Sequence, residues 1–201
     1  MIKRNLLVTG LAVLLSACGF QLRGTGTNTM QLKELNVSAR DAYGPTVKDL
    51  KNALEHSGVK LDGFATYKLV LTDEKADQRT ASYSGSARSV DIELDNVLSF
   101  EVRGPTNIAL ISDTIETEKE YTHDGNNLAG SDSEADVVRQ EMRREAIQRL
   151  MLRLQALTPA HLDELQAKAE AKAKADADAE AAAQRQMDNT PQQSPMDIPT
   201  K

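Results

Sequence analysis

One thiol is available for chemistry in this chain. Cys18 is the single cysteine among 201 residues, and it closes the stretch Leu15-Ser16-Ala17-Cys18. Lys3 and Arg4 stand ahead of an apolar run from Leu6 to Leu15 that is interrupted only by Thr9 and Gly10. A charged start, a short apolar core and small residues before a cut site mark a secretory signal. A run of this length makes a helix of about 15 Å against roughly 30 Å of bilayer hydrocarbon, too short for a permanent span. The four residues fit the bacterial lipobox, in which the thiol is acylated and the cysteine becomes the first residue of the mature chain. Expected on Cys18 are a diacylglycerol and an N-acyl chain. At ~0.8 kcal/mol per buried CH₂, two or three chains hold a protein durably on a membrane where one holds it marginally. Gly19 follows the cysteine, not the aspartate that retains many lipoproteins at the inner membrane, which favours the outer membrane with the protein on its periplasmic side.

The remaining reactive residue types are scattered. His56, His123 and His161 have no metal-ligand spacing to one another. Asp91, Glu93 and Asp95 alternate on what reads as one strand face. Paired carboxylates can do acid–base work, but alternating acids on the wet side of a strand more commonly form a solvated surface. There is no Gly-x-Ser-x-Gly and no phosphate loop. The expectation is a non-enzymatic chain with no catalytic residue, no cofactor and no metal.

Composition points the same way. Removing residues 1–17 takes away Lys3 and Arg4, leaving 22 basic against 30 acidic residues and moving the formal net charge from -6 to -8. Such a chain does not coat nucleic acid. The lack of tryptophan, with three Phe and four Tyr, argues against stacking platforms for bases or sugars.

The elements that must position these residues follow in order. Residues 18–31, rich in Gly and Thr, read as a lipidated tether, and the folded domain as 32–157. Leu32 to Ser38 is a first strand. Pro45 starts a helix with Val47, Leu50 and Leu54 as its apolar stripe, ended by Gly58. Tyr67, Leu69 and Leu71 share one face of a second strand whose pattern fades toward Arg79, and Ala81 to Ala87 reads as a hairpin tip. Val90, Ile92, Leu94, Leu98, Phe100 and Val102 all fall on even positions, with Asp91, Glu93, Asp95 and Glu101 between them. That period of two predicts a long strand with one buried and one wet face. Gly104-Pro105-Thr106-Asn107 turns the chain into a return strand to Tyr121, with Glu116, Glu118 and Glu120 outward. Ser131 and Glu134 match a capping box ahead of a helix carrying Ala135, Val138, Met142, Ala146, Leu150 and Leu154 on one face. Its arginines, Arg139 to Arg153, form a side that is either solvated or available to an anionic lipid or partner. Residues 158–201 read as an Ala- and charge-rich solitary helix that frays, then a Pro- and Gln-rich disordered end. The fold class expected is α+β: a two-layer sandwich of about four mostly antiparallel strands with two helices on one face, plus a low-complexity tail.

Cys18-Gly19-Phe20-Gln21-Leu22-Arg23-Gly24, followed by this order of elements, resembles the LptE family of LPS-assembly lipoproteins. The resemblance runs over roughly residues 15–157. It implies a lipoprotein seated as a plug inside the large outer-membrane barrel LptD, supporting assembly of that barrel and binding lipopolysaccharide (LPS) in transit to the cell surface. In the family, basic residues around the hairpin between the second and third strands are associated with LPS binding. Here the tip is Ser82-Tyr83-Ser84-Gly85-Ser86, and the nearest basic residues are Arg79 and Arg88, which become the candidate LPS-binding pair. Guanidinium groups suit lipid phosphates through paired donors. The alternative is a lipid-anchored adaptor or stalk of another cell-envelope complex.

Overall fold

The computed structural model describes residues 30–83 and 89–189. Cys18, the Gly19–Gly24 segment, Arg88, residues 84–87 of the expected hairpin tip and the part of the expected disordered end beyond 189 lie outside the described residues, whereas Ala81, Ser82 and Tyr83, read as part of that tip, continue a strand. The elements are β1 (Glu34–Ala39), α1 (Pro45–His56), β2 (Lys60–Leu61), β3 (Lys68–Tyr83), β4 (Ser89–Arg103), β5 (Ala109–Asp124), α2 (Leu128–Gln155) and α3 (Pro159–Asn189).

The sheet has five strands in the order β2-β1-β3-β4-β5, not four. The added strand is β2, a two-residue pairing of Lys60 and Leu61 alongside Glu34 and Leu35, too short to leave a periodicity in the sequence. β1 runs parallel to both its neighbours, while β3, β4 and β5 form an antiparallel meander. The class is α+β, as expected, with a mixed sheet.

In β4, Leu94, Leu98, Phe100 and Val102 are buried, and the even face meets the helices. The fading pattern in β3 has a physical cause. Leu71 pairs with Phe100 and Asp73 with Ser99, so Thr72 is an extra residue that bulges and switches which parity faces inward. Leu69 and Leu71 point to the core before the bulge; afterwards the inward residues are Glu74, Ala76 and Gln78. Glu74 accepts a hydrogen bond from the buried Thr46 hydroxyl at 2.9 Å, tying α1 to the strand.

α1 starts on Pro45 and ends as expected, with Gly58 at φ +80°, a conformation that costs a side-chain-bearing residue energy. α2 begins before the predicted capping box. Asn127 is its cap, with Oδ1 accepting the Gly130 N–H at 3.1 Å. Ser131 is buried inside the first turn, and its hydroxyl accepts the Asp124 N–H at 2.8 Å. A contact with the end of β5 thus takes the serine that the local pattern assigned to the helix start.

Both ends of the domain reach further than the sequence suggested. Met30, within the expected tether, is 1% exposed and belongs to the core with Leu32. The helix after Pro159 is not solitary at its start: Leu162 is fully buried and Gln166 is 8% exposed. Tyr67 donates its hydroxyl to Asp163, and Gln166 donates to Thr106 across the β4–β5 turn. Gly104 leaves the room for this, since a Cβ there would lie 1.9 Å from Gln166 Oε1. Beyond Gln166 the helix is almost wholly exposed.

Candidate functional site

The open face of β3, β4 and β5 gathers the charged residues singled out from the sequence. Register places Arg79 opposite Glu93 and Asp95 opposite Glu118, on the side away from the helices. Arg79 donates to the Glu93 carboxylate, and its Nε lies 3.8 Å from Asp95. Glu93 is only 6% exposed although it belongs to the wet face, because the long Arg79 side chain lies over it. Carboxylate oxygens of Glu93, Asp95 and Glu118 all come within 4.8 Å of one another.

Three acids crowded together need a proton, a metal or a fixed cation. Here Arg79 supplies the cation, and the two glutamates divide the remaining strain. Hydrogen bonding to Arg79 holds Glu93 below the usual carboxylate range, whereas the hydrogen bond and negative charge of Glu93 push Glu118 above it. The donor set is all oxygen, as magnesium or calcium prefers, but the Arg79 guanidinium already engages two of the three carboxylates, Glu93 and Asp95. Asp91, the third acid of the alternating run, is separate. It accepts from the Ser82 hydroxyl at 2.5 Å and the Thr122 hydroxyl at 3.0 Å, which lower its pKa in that order.

Arg79 is therefore engaged within its own sheet face. The three histidines fall on α1, β5 and α3, and among the described residues no metal-ligand group contains one. No helix among the described residues is long and apolar enough to cross a membrane.

The arginine side of α2 is mostly neutralised. Arg139 pairs with Asp136 at 3.0 Å, Arg143 with Asp49 at 3.7 Å and Arg149 with Glu145 at 2.6 Å, while Arg153 binds Asp113. Arg144 alone of these is exposed with no ion-pair partner among the described residues. The sequence pattern puts Glu118 on the outward side of its strand but not with Glu93, because only the register between strands makes them neighbours. Arg149 and Arg153 also reach the backbone of β5, at the Glu116 and Thr114 carbonyls. No local signal announces that contact.

The sequence model of a family described as "LptE: Lipopolysaccharide-assembly" matches residues 32–154, the sheet and the first two helices. An LPS-assembly lipoprotein LptE of Pectobacterium atrosepticum is 35% identical over 156 residues, covering 74% of this chain and 83% of that one. The protein of the same description from Photorhabdus laumondii is 28% identical over 168 residues, covering 81% and 91%. Among solved structures, a lipoprotein B from Nitrosomonas europaea superposes with a TM-score of 0.58 at 22% identity, over 73% of this chain and 96% of that one. The rare lipoprotein B of Shewanella oneidensis gives 0.52 at 21% identity, over 70% and 98%. These two structures share the fold.

Proposed function

The chain belongs to the LptE family of lipopolysaccharide-assembly lipoproteins, and from that membership we propose that it is a non-enzymatic subunit of the outer-membrane LPS translocon. In this reading the acyl chains on Cys18 hold it at the periplasmic side of the outer membrane. The folded part sits in an LptD-type barrel, supports assembly of that barrel, and binds LPS as it passes. The observation that carries the proposal is the family match across residues 32–154, which takes in every long strand and both helices packed on them. The geometry is compatible. Three long strands with a charged outer face make a wedge suited to the polar lumen of a barrel, and the charged clusters are internally paired.

Depletion of the protein should leave the barrel misassembled and LPS stalled in the periplasm; normal surface LPS after depletion would sink the proposal. Crosslinking in cells separates it from the adaptor reading, because the first requires a large barrel as partner and the second an inner-membrane or peptidoglycan-linked one. Arg79 and Arg88 remain the proposed LPS contacts. For Arg79 this requires exchange of Glu93 for a lipid phosphate, a like-for-like swap of one anion for another. The Arg79→Ala, Arg88→Ala variant should retain less LPS in a pull-down while keeping its circular dichroism. Unchanged retention removes the pair from the site.

A further inference from the structure

β5 is the outer strand of the sheet, and its free edge is 16 residues long. An edge of that length is a template for pairing with another strand, which proteins must block. In β5 the block is built from side chains. The Thr114 N–H donates to Asp113 Oδ1 at 2.7 Å. The Thr114 carbonyl accepts from Arg153 Nη1 at 3.3 Å, and the Glu116 carbonyl accepts from Arg149 Nη1 at 2.6 Å. The two arginines are themselves fixed: Arg153 binds Asp113, and Arg149 Nη2 donates to Glu145 at 2.6 Å. Three backbone groups that an incoming strand would use are thereby occupied by the chain's own side chains. The stretch that follows is defended differently. Glu116, Glu118 and Glu120 are all exposed and share one face of the strand. Two copies paired antiparallel through β5 about Glu118 would set Glu118 against itself and Glu116 against Glu120, and like charges directly opposite are destabilising.

We propose that the β5 edge is a guarded pairing surface, closed to a second copy of this chain by Arg149 and Arg153 at the Thr114 and Glu116 backbone and by the Glu116, Glu118 and Glu120 side chains from there on. The competing account is that the arginines only pin α2 to the sheet. The two differ in what removal does: pinning predicts lower stability alone, guarding predicts copy–copy association.

The test uses two differently tagged full-length copies expressed together and extracted in excess detergent, with copurification of one by the other as the readout. The wild type should show none. Arg149→Met with Arg153→Met, which keeps much of the apolar stem of each side chain, should raise copurification several-fold, and adding Glu116→Thr and Glu120→Thr should raise it further. Thr114→Pro in the same background should return it to the wild-type level. Proline blocks an edge, and the N–H it removes at Thr114 is the one that donates to Asp113. Arg144→Met, on the exposed side of the same helix, should change nothing. Copurification of the wild type, no rise in a folded double variant, no further rise on removing the glutamates, or a rise that Thr114→Pro leaves intact would each overturn the proposal. Should the double variant fail to fold, Arg153→Met alone is read in the same assay with the same outcomes.

Discussion

Leu162→Ala is the substitution that asks most directly whether the folded unit extends past the second helix. Leu162 is fully buried and belongs to the same core as Leu35, Leu50, Leu98 and Leu154. Truncating a buried leucine costs about 2–5 kcal/mol, depending on how far the surroundings close over the space. The start of α3 lies at the end of the sheet and is held by side-chain bonds from Tyr67 to Asp163 and the Pro159 carbonyl and from Gln166 to Thr106. It can shift inward more easily than the centre of the core, so the lower half of the range applies, about 2–3 kcal/mol. For a domain of this size that is a fall of roughly 5–10 °C in Tm. A stop after Leu157 goes further, removing Leu162, Gln166 and the partners of the Tyr67 hydroxyl together. Against a total stability of about 5–15 kcal/mol, it should leave the domain marginal. A stop after Glu170 retains all three contacts and should leave Tm unchanged. Calorimetry on the three variants decides the matter. A Leu162→Ala shift within about 0.5 kcal/mol of zero, the range of a neutral surface change, would refute the docking of α3.

Two further predictions concern titration. Glu118 is held above its usual pKa by Glu93, so its contribution to stability is complete below the unfolded value of 4.5 and is lost as pH rises through the folded value. Glu118→Gln keeps a donor toward Glu93 but cannot ionise. It should match the wild type at about pH 4 and melt higher at neutral pH; equal melting at both would show that the carboxylates do not interact. Tyr67 is pushed up to about 12, by burial first and by Asp163 second. Its contribution is complete below pH 10 and lost between about 10 and 12. The alkaline ultraviolet difference between wild type and Tyr67→Phe should therefore show a single midpoint near 12, and a midpoint near 10 would mean the hydroxyl is free in solution.

Much of this protein is local and could be read without a fold. The signal that raises the expectation of a lipobox is four adjacent residues, Leu15 to Cys18. The alternation from Val90 to Val102 reports one buried face because side chains on a strand point to opposite sides by turns. Pro45 and Gly58 mark helix ends through their own backbone preferences. Each signal is carried by residues close in sequence. The rest depends on residues far apart in the chain. The bulge at Thr72 reverses the inward parity of β3, so the sequence pattern dissolves where the strand in fact continues to Tyr83. Leu162 is followed by Leu165 one turn on, and Met30 by Leu32 two residues on, runs too short to establish a periodicity that would announce their burial. Ser131 could cap a helix or bond to β5, and the nearby strand end settled it. Arg79, Glu93 and Glu118 become one electrostatic unit only when three strands take their register, and Arg149 and Arg153 meet the β5 backbone only because α2 folds back along that strand. Propensity and periodicity act over a few residues, whereas register and docking are chosen by the burial of the whole core.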